Sequence, residues 1–192
     1  MAAALPAALV NSPAAEREAL ALARQALARE VTGSKMTLRP RSSLARFRAG
    51  AFVIVAVQDR TRACAGTVEP TCASAAEEIV SSAAMAAAGD PWHPPLRKAD
   101  LLNGRVEVCL AGPPARISSI HQLDVRREGL LLRSGDRSAV ILPGEAKTAD
   151  WALREARRKA GLTAKDRAQL LSFPAVRWRE MSPPRQERNP SR

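Results

Sequence analysis

Cys64 is the side chain on which chemistry would turn. It sits in T-R-A-C-A-G-T (61–67), flanked by two alanines and two residues from Arg62. A thiol acts as a nucleophile or redox group only as the thiolate, which needs a nearby cation or helix N-terminus and access to solvent. Arg62 is the expected source of that charge, because residues two apart on a strand share a face. The competing reading is packing: a free cysteine between small residues is a common core element, here lying under the alanine-rich stretch 75–88. Gly66 reads as a bulge or a close backbone approach at the end of the same strand. Glu69, in V-E-P, is placed to accept a proton or orient a ligand, or is simply solvated. Farther on, D-P-W-H-P-P-L (90–96) reads as a rigid cleft wall in which Asp90 supplies polarity and Trp92 a stacking surface, or as a loop over a sheet edge.

Other chemistries lack their motifs. The sequence has two His and three Cys but neither C-x-x-C nor H-x-x-x-H, and Cys64 and Cys72 stand eight apart, so no metal site is expected. Nucleophile elbow, P-loop and G-x-G-x-x-G are all missing, and no cofactor is expected. S-G-D-R-S (134–138) contains glycine but reads as a hairpin turn. An odd number of cysteines without framework spacing fits a reducing compartment. With no apolar run of about 18 residues and no basic residue ahead of the apolar start, the protein is expected to be cytoplasmic and free of membrane spans.

The net charge of +11 invites a nucleic-acid reading, but its distribution tempers it. Residues 51–150 hold eleven basic and twelve acidic groups, whereas 1–50 and 151–192 carry surpluses of five and seven positive charges. Twenty-five of the thirty basic residues are Arg and alanine is abundant, a pairing that a GC-rich genome produces without any ligand.

The elements that must position these residues follow from caps and periodicity. Ser12 and Pro13 open a helix that carries Leu20, Ala23, Leu27 and Val31 on one face and ends at Gly33. The stretch 35–44 reads as a basic surface loop. Phe52–Val57, a Q-D-R turn and the strand bearing Cys64 form a hairpin. Ser74 and Glu77 have capping-box spacing for a helix that stops at Gly89. N-G-R-V-E-V-C-L-A-G (103–112) alternates, with Val106, Val108 and Leu110 on one face and Arg105, Glu107 and Cys109 on the other. A second hairpin turns at S-G-D, Thr148 caps a helix stopped by Gly161, and Thr163 caps a further short helix over T-A-K-D-R-A-Q-L-L. A last strand near A-V-R-W-R-E precedes a Pro/Arg-rich tail. The expected class is α+β with antiparallel sheet, built of two related β-rich halves. The division is a flexible start (1–12), one domain of two lobes (13–180) and a disordered tail (181–192).

G-A-F-V-I-V-A-V, R-A-C-A-G-T-V-E-P, D-P-W-H-P-P-L, G-L-L-L-R-S-G-D-R-S-A-V-I-L-P and R-K-A-G-L resemble, in order and spacing, the AMMECR domain, whose prokaryotic members are called AmmeMemoRadiSam system protein A. The resemblance spans residues 15 to 180. It implies an α+β fold of two β-rich halves and partnership with a Memo-like and a radical S-adenosylmethionine protein, but no particular reaction. It also implies a signature akin to L-R-G-C-I-G, whose Arg, Cys and second Gly match Arg62, Cys64 and Gly66. Thr61, Ala63 and Ala65 depart from that signature, and Ala63 would be strained if its position demands a glycine conformation. His93 falls where relatives look aromatic and is not read as a base. Three functional readings follow: an accessory or substrate-handling component with a groove around TRACAGT, an enzyme using Cys64, and a basic nucleic-acid-binding module.

Overall fold

The chain runs α1 (Ala7–Val10), α2 (Pro13–Thr32), β1 (Gly50–Val57), β2 (Arg60–Thr67), α3 (Ala75–Ala88) and α4 (Lys98–Asn103). It continues through β3 (Gly104–Ala111), β4 (Ala115–Arg116), β5 (Glu128–Ser134), β6 (Arg137–Ile141), α5 (Ala149–Lys159) and β7 (Gln169–Arg179). This computed structural model describes residues 5–34, 43–89 and 93–181. Most of the expected basic loop and the tail from residue 182 lie outside the described residues.

The caps act as the residue types predict. Ser12 Oγ accepts from the Ala15 amide at 3.2 Å, and Gly33 closes α2 at φ 70°. Ser74 Oγ accepts from Glu77 N at 3.3 Å, and Thr148 Oγ1 from Trp151 N at 3.2 Å. Each satisfies an amide that the first helical turn leaves unpaired. Ahead of α2, in the stretch expected to be flexible, α1 forms one helical turn and buries Leu9 completely. The β1–β2 hairpin turns on Gln58 and Asp59, at φ 52° and 59°. Two successive left-handed residues are what a type I′ turn requires, and its twist suits the flanking strands.

The helix expected over 163–171 does not form. Residues 163–168 form no helix; they make a turn, and β7 begins at Gln169. Asp166 Oδ2 accepts from both the amide and the hydroxyl of Thr163 at 2.7 Å. That local bond is a helix-start signal, but the following residues are drawn into the ladder with β5, where Leu170 pairs with Leu132 and Leu171 with Leu131. Strand pairing overrides the cap.

All strands join one antiparallel sheet in the order β2-β1-β3-β7-β5-β6, with β4 off β7. β7 links the two halves: Ala175–Arg179 pair with β3 and Gln169–Pro174 with β5. Each half repeats a hairpin covered on its outer face by the helix that follows. α2 and α3 cover β1 and β3 through buried alanines that bring backbones close (Ala19, Ala23, Ala26, Ala76, Ala83), with Leu27 and Ile79 as larger fillers. α5 covers Leu130, Leu132 and Ile141 through Ala152 and Ala156. The sheet curls, so its inner face encloses a third core of Phe52, Ile54, Cys109, Leu131, Leu142, Leu171 and Phe173. Phe173 lies across Gly129, where an added Cβ would stand 2.1 Å from the ring. Among the described residues no helix is long and apolar enough to cross a membrane.

Candidate functional site

T-R-A-C-A-G-T occupies the edge strand β2. Cys64 pairs with Ile54, is half-buried, and packs against the inner-face core. Ala63 and Ala65 point the other way, toward the alanines of α2 and α3. The only non-glycine residues of positive φ among those described are Gln58 and Asp59, so Ala63 sits unstrained where the signature has glycine. Gly66, by contrast, is held against β1, its missing Cβ position lying 2.0 Å from the Ala51 carbonyl oxygen.

Arg62 and Cys64 do not share a face. Val55 pairs with Ala63 and Ala56 with Thr61, which leaves Arg62 as the extra residue of a bulge; a bulge resets the alternation of side chains. Arg62 donates to the carbonyls of Pro94 (2.8 Å) and Pro95 (2.9 Å) and to Asp100 Oδ2 (3.0 Å). Asp100 also accepts from the Arg97 amide at 2.8 Å and starts α4, whose Leu101 packs on the outer core. The guanidinium therefore staples residues 94–100 to the outer side of the sheet. With side-chain exposures of 17% and 13%, the Arg62–Asp100 pair is screened less than a surface pair. Arg62→Ala is expected to lower stability by about 1–3 kcal/mol, seen as a lower urea midpoint, while leaving native alkylation of Cys64 unchanged; a large fall in that alkylation would return Arg62 to the thiol.

Glu69 follows β2 and pairs with Arg133 of β5, tying one end of the curl to the other. Arg133 in turn lines a cavity of about 420 Å³ with Ser134, Gly135, Arg167, Ala168 and Gln169. That cavity lies at the tip of the β5–β6 hairpin, and Cys64 is not among its lining residues. Asp90 and Trp92 lie outside the described residues. Of the six residues singled out in the sequence, Cys64 and Gly66 share the inner face, Glu69 borders it, and Arg62 faces away.

Two buried carboxylates, neither a site candidate from the sequence, organise this region. Glu78, fully buried on α3, accepts from Thr67 Oγ1 at 2.6 Å and from the Thr71 and Cys72 amides at 2.8 Å. It anchors the loop that leaves T-R-A-C-A-G-T. Burial opposes its ionisation, but these hydrogen bonds prevail and hold its pKa below the ordinary value of 4.5. Its spacing from Ala75 and Ser82, three and four residues away, was the available signal, because it places Glu78 on the buried stripe of α3.

Glu107 is the second. It lies on the inner face of β3 and meets Arg105 at 3.0 Å, Arg177 at 2.7 Å and Arg179 at 3.1 Å. Burial again opposes ionisation, and Arg177 with the other guanidiniums prevails, so its pKa is lowered. Cys109 stands beside this cluster, opposite Arg177; burial pushes its thiol up to about 12, which makes it chemically inert. Among the described residues no three His, Cys, Asp or Glu side chains converge as a metal site would require. The inner face thus combines a buried apolar core that includes Phe52, Ile54 and Val68, a half-buried thiol packed against it, and a charged end built on Glu107.

A family model described as AMMECR1 matches residues 20–178. A protein of Thermotoga maritima is 34% identical over 136 residues, 69% of this chain and 78% of that one. A protein of Methanopyrus kandleri is 30% identical over 155 residues, 73% of this chain and 74% of its own. The crystal structure of an uncharacterized protein from Pyrococcus horikoshii aligns at a TM-score of 0.76 and 25% identity, covering 86% of this chain and 91% of that one.

Proposed function

The chain belongs to the AMMECR1 family, and from that premise we propose that it is an accessory, substrate-handling component. In this reading it works in the cytoplasm with Memo-like and radical S-adenosylmethionine proteins and offers the inner face around T-R-A-C-A-G-T as its binding surface. The partners are suggested by the resemblance of its motifs to AmmeMemoRadiSam system protein A, and the surface by the half-buried Cys64 at the edge of the inner-face core.

One observation supports binding over thiol catalysis. Arg62, the cation that the sequence sets beside Cys64, is committed to Pro94, Pro95 and Asp100 on the opposite side of the sheet. Cys64 packs against Phe52, Ile54 and Val68, an apolar setting suited to a hydrophobic contact with a ligand or partner. Affinity purification of the tagged chain from its native host, followed by mass spectrometry, is expected to recover a Memo-like or a radical S-adenosylmethionine protein. Recovery of neither would contradict the partnership.

A further inference from the structure

We infer that Arg177 and Arg179, held by Glu107, form an oxyanion subsite on the inner face, which assigns the groove a ligand bearing a phosphate or similar anionic group. The inference rests on the groove reading above and names the ligand class it would take. β7 presents its odd-numbered residues inward, so Leu171, Phe173 and Ala175 of the third core are followed by Arg177 and Arg179. Across the strands, Cys64, Ile54, Glu107 and Arg179 form one row, and Gly66, Phe52, Cys109 and Arg177 the next. The arginines therefore close the charged end of the surface that begins at Cys64.

Arg177 anchors the site, and the bonding of Arg179 leaves donors unused. Arg177 directs Nε (2.8 Å) and Nη2 (2.7 Å) at Glu107, whereas its Nη1 reaches the Pro143 carbonyl at a longer 3.3 Å. Arg179 gives only Nε to Glu107, at 3.1 Å. Its Nη1 and Nη2 have no partner among the described residues, and its side chain is 54% exposed. Arg105 adds a third guanidinium, bridging Glu107 to Asp59 at the rim. The nearby Glu145 is matched by Lys159 at 3.8 Å. Three guanidiniums around Glu107 and Asp59 leave a surplus positive charge, and Glu107 fixes the arginines in place before a ligand arrives. A pre-organised guanidinium with free Nη donors is suited to bidentate oxyanion recognition.

The test is a titration of the isotopically labelled protein with inorganic phosphate at constant ionic strength, following the arginine Nε–H NMR signals. Saturable shifts of Arg177 and Arg179 are expected, with affinity falling about five- to tenfold in Arg179→Gln; loss of one partly exposed pair leaves that variant folded. No saturable shift, or equal affinity in the variant, would overturn the subsite. The groove reading fails separately: if Cys64 resists iodoacetamide in the native protein while the arginine signals still respond, the anion subsite stands and the groove around T-R-A-C-A-G-T does not.

Discussion

Replacing Gly66 with alanine is expected to detach β2 from β1 and destabilise the protein by about 3–5 kcal/mol. The added Cβ would lie 2.0 Å from the Ala51 carbonyl oxygen and 2.6 Å from the Phe52 Cα. Both obstacles are backbone, so no rotamer change relieves the clash. β1 has little room to retreat, because it pairs along its whole length with β3 on its other side. A glycine-to-alanine change at an unstrained site would instead raise stability by about 0.4–1 kcal/mol. Ala63 supplies the contrast within the same strand. It already lies in ordinary strand geometry, so Ala63→Gly is expected to cost about 1–2 kcal/mol, from backbone entropy and one buried methyl group. Urea denaturation of the two variants measures both; similar midpoints would mean that Gly66 is not the residue that sets this strand against β1.

The second large effect is expected at Glu78. Glu78→Ala removes the acceptor for Thr67 Oγ1, Thr71 N and Cys72 N together, and stranding these donors should cost about 3 kcal/mol. Because the folded-state pKa of Glu78 is lowered, its contribution is complete above the unfolded value near 4.5 and is lost as pH falls through the lower folded value. The pKa of Glu107 is lowered too and acts in the same direction. The urea midpoint should therefore be level above about pH 5 and drop under acid, with a shallower drop in Glu78→Gln. An acid response identical in wild type and Glu78→Gln would contradict the assignment.

Where local chemistry decides the conformation, the sequence was legible. Ser12, Ser74 and Thr148 cap the helices that they open, and residues 104–111 alternate as read, with Val106, Val108 and Leu110 against the helices and Cys109 on the inner face. The failures share one cause, which is that strand partners decide. Arg62 was placed beside Cys64 by simple alternation, and a single unpaired residue in the β1–β2 ladder turned it away. Thr163 and Asp166 make the local bonds of a helix start, yet pairing with β5 claims the residues behind them. The Glu107 cluster joins residues seventy positions apart, and no local pattern reveals that β7 lies beside β3.

The central claim, that the half-buried edge of the inner face at Cys64 is a binding surface, is tested most directly by iodoacetamide labelling of the native protein with Cys109 as the internal standard. Cys64 is expected to label while the protein stays folded, with Cys109 protected by its complete burial, and labelling of Cys64 should slow in any complex recovered from the host. Protection of Cys64 until the protein unfolds would contradict the claim and make T-R-A-C-A-G-T a packing element.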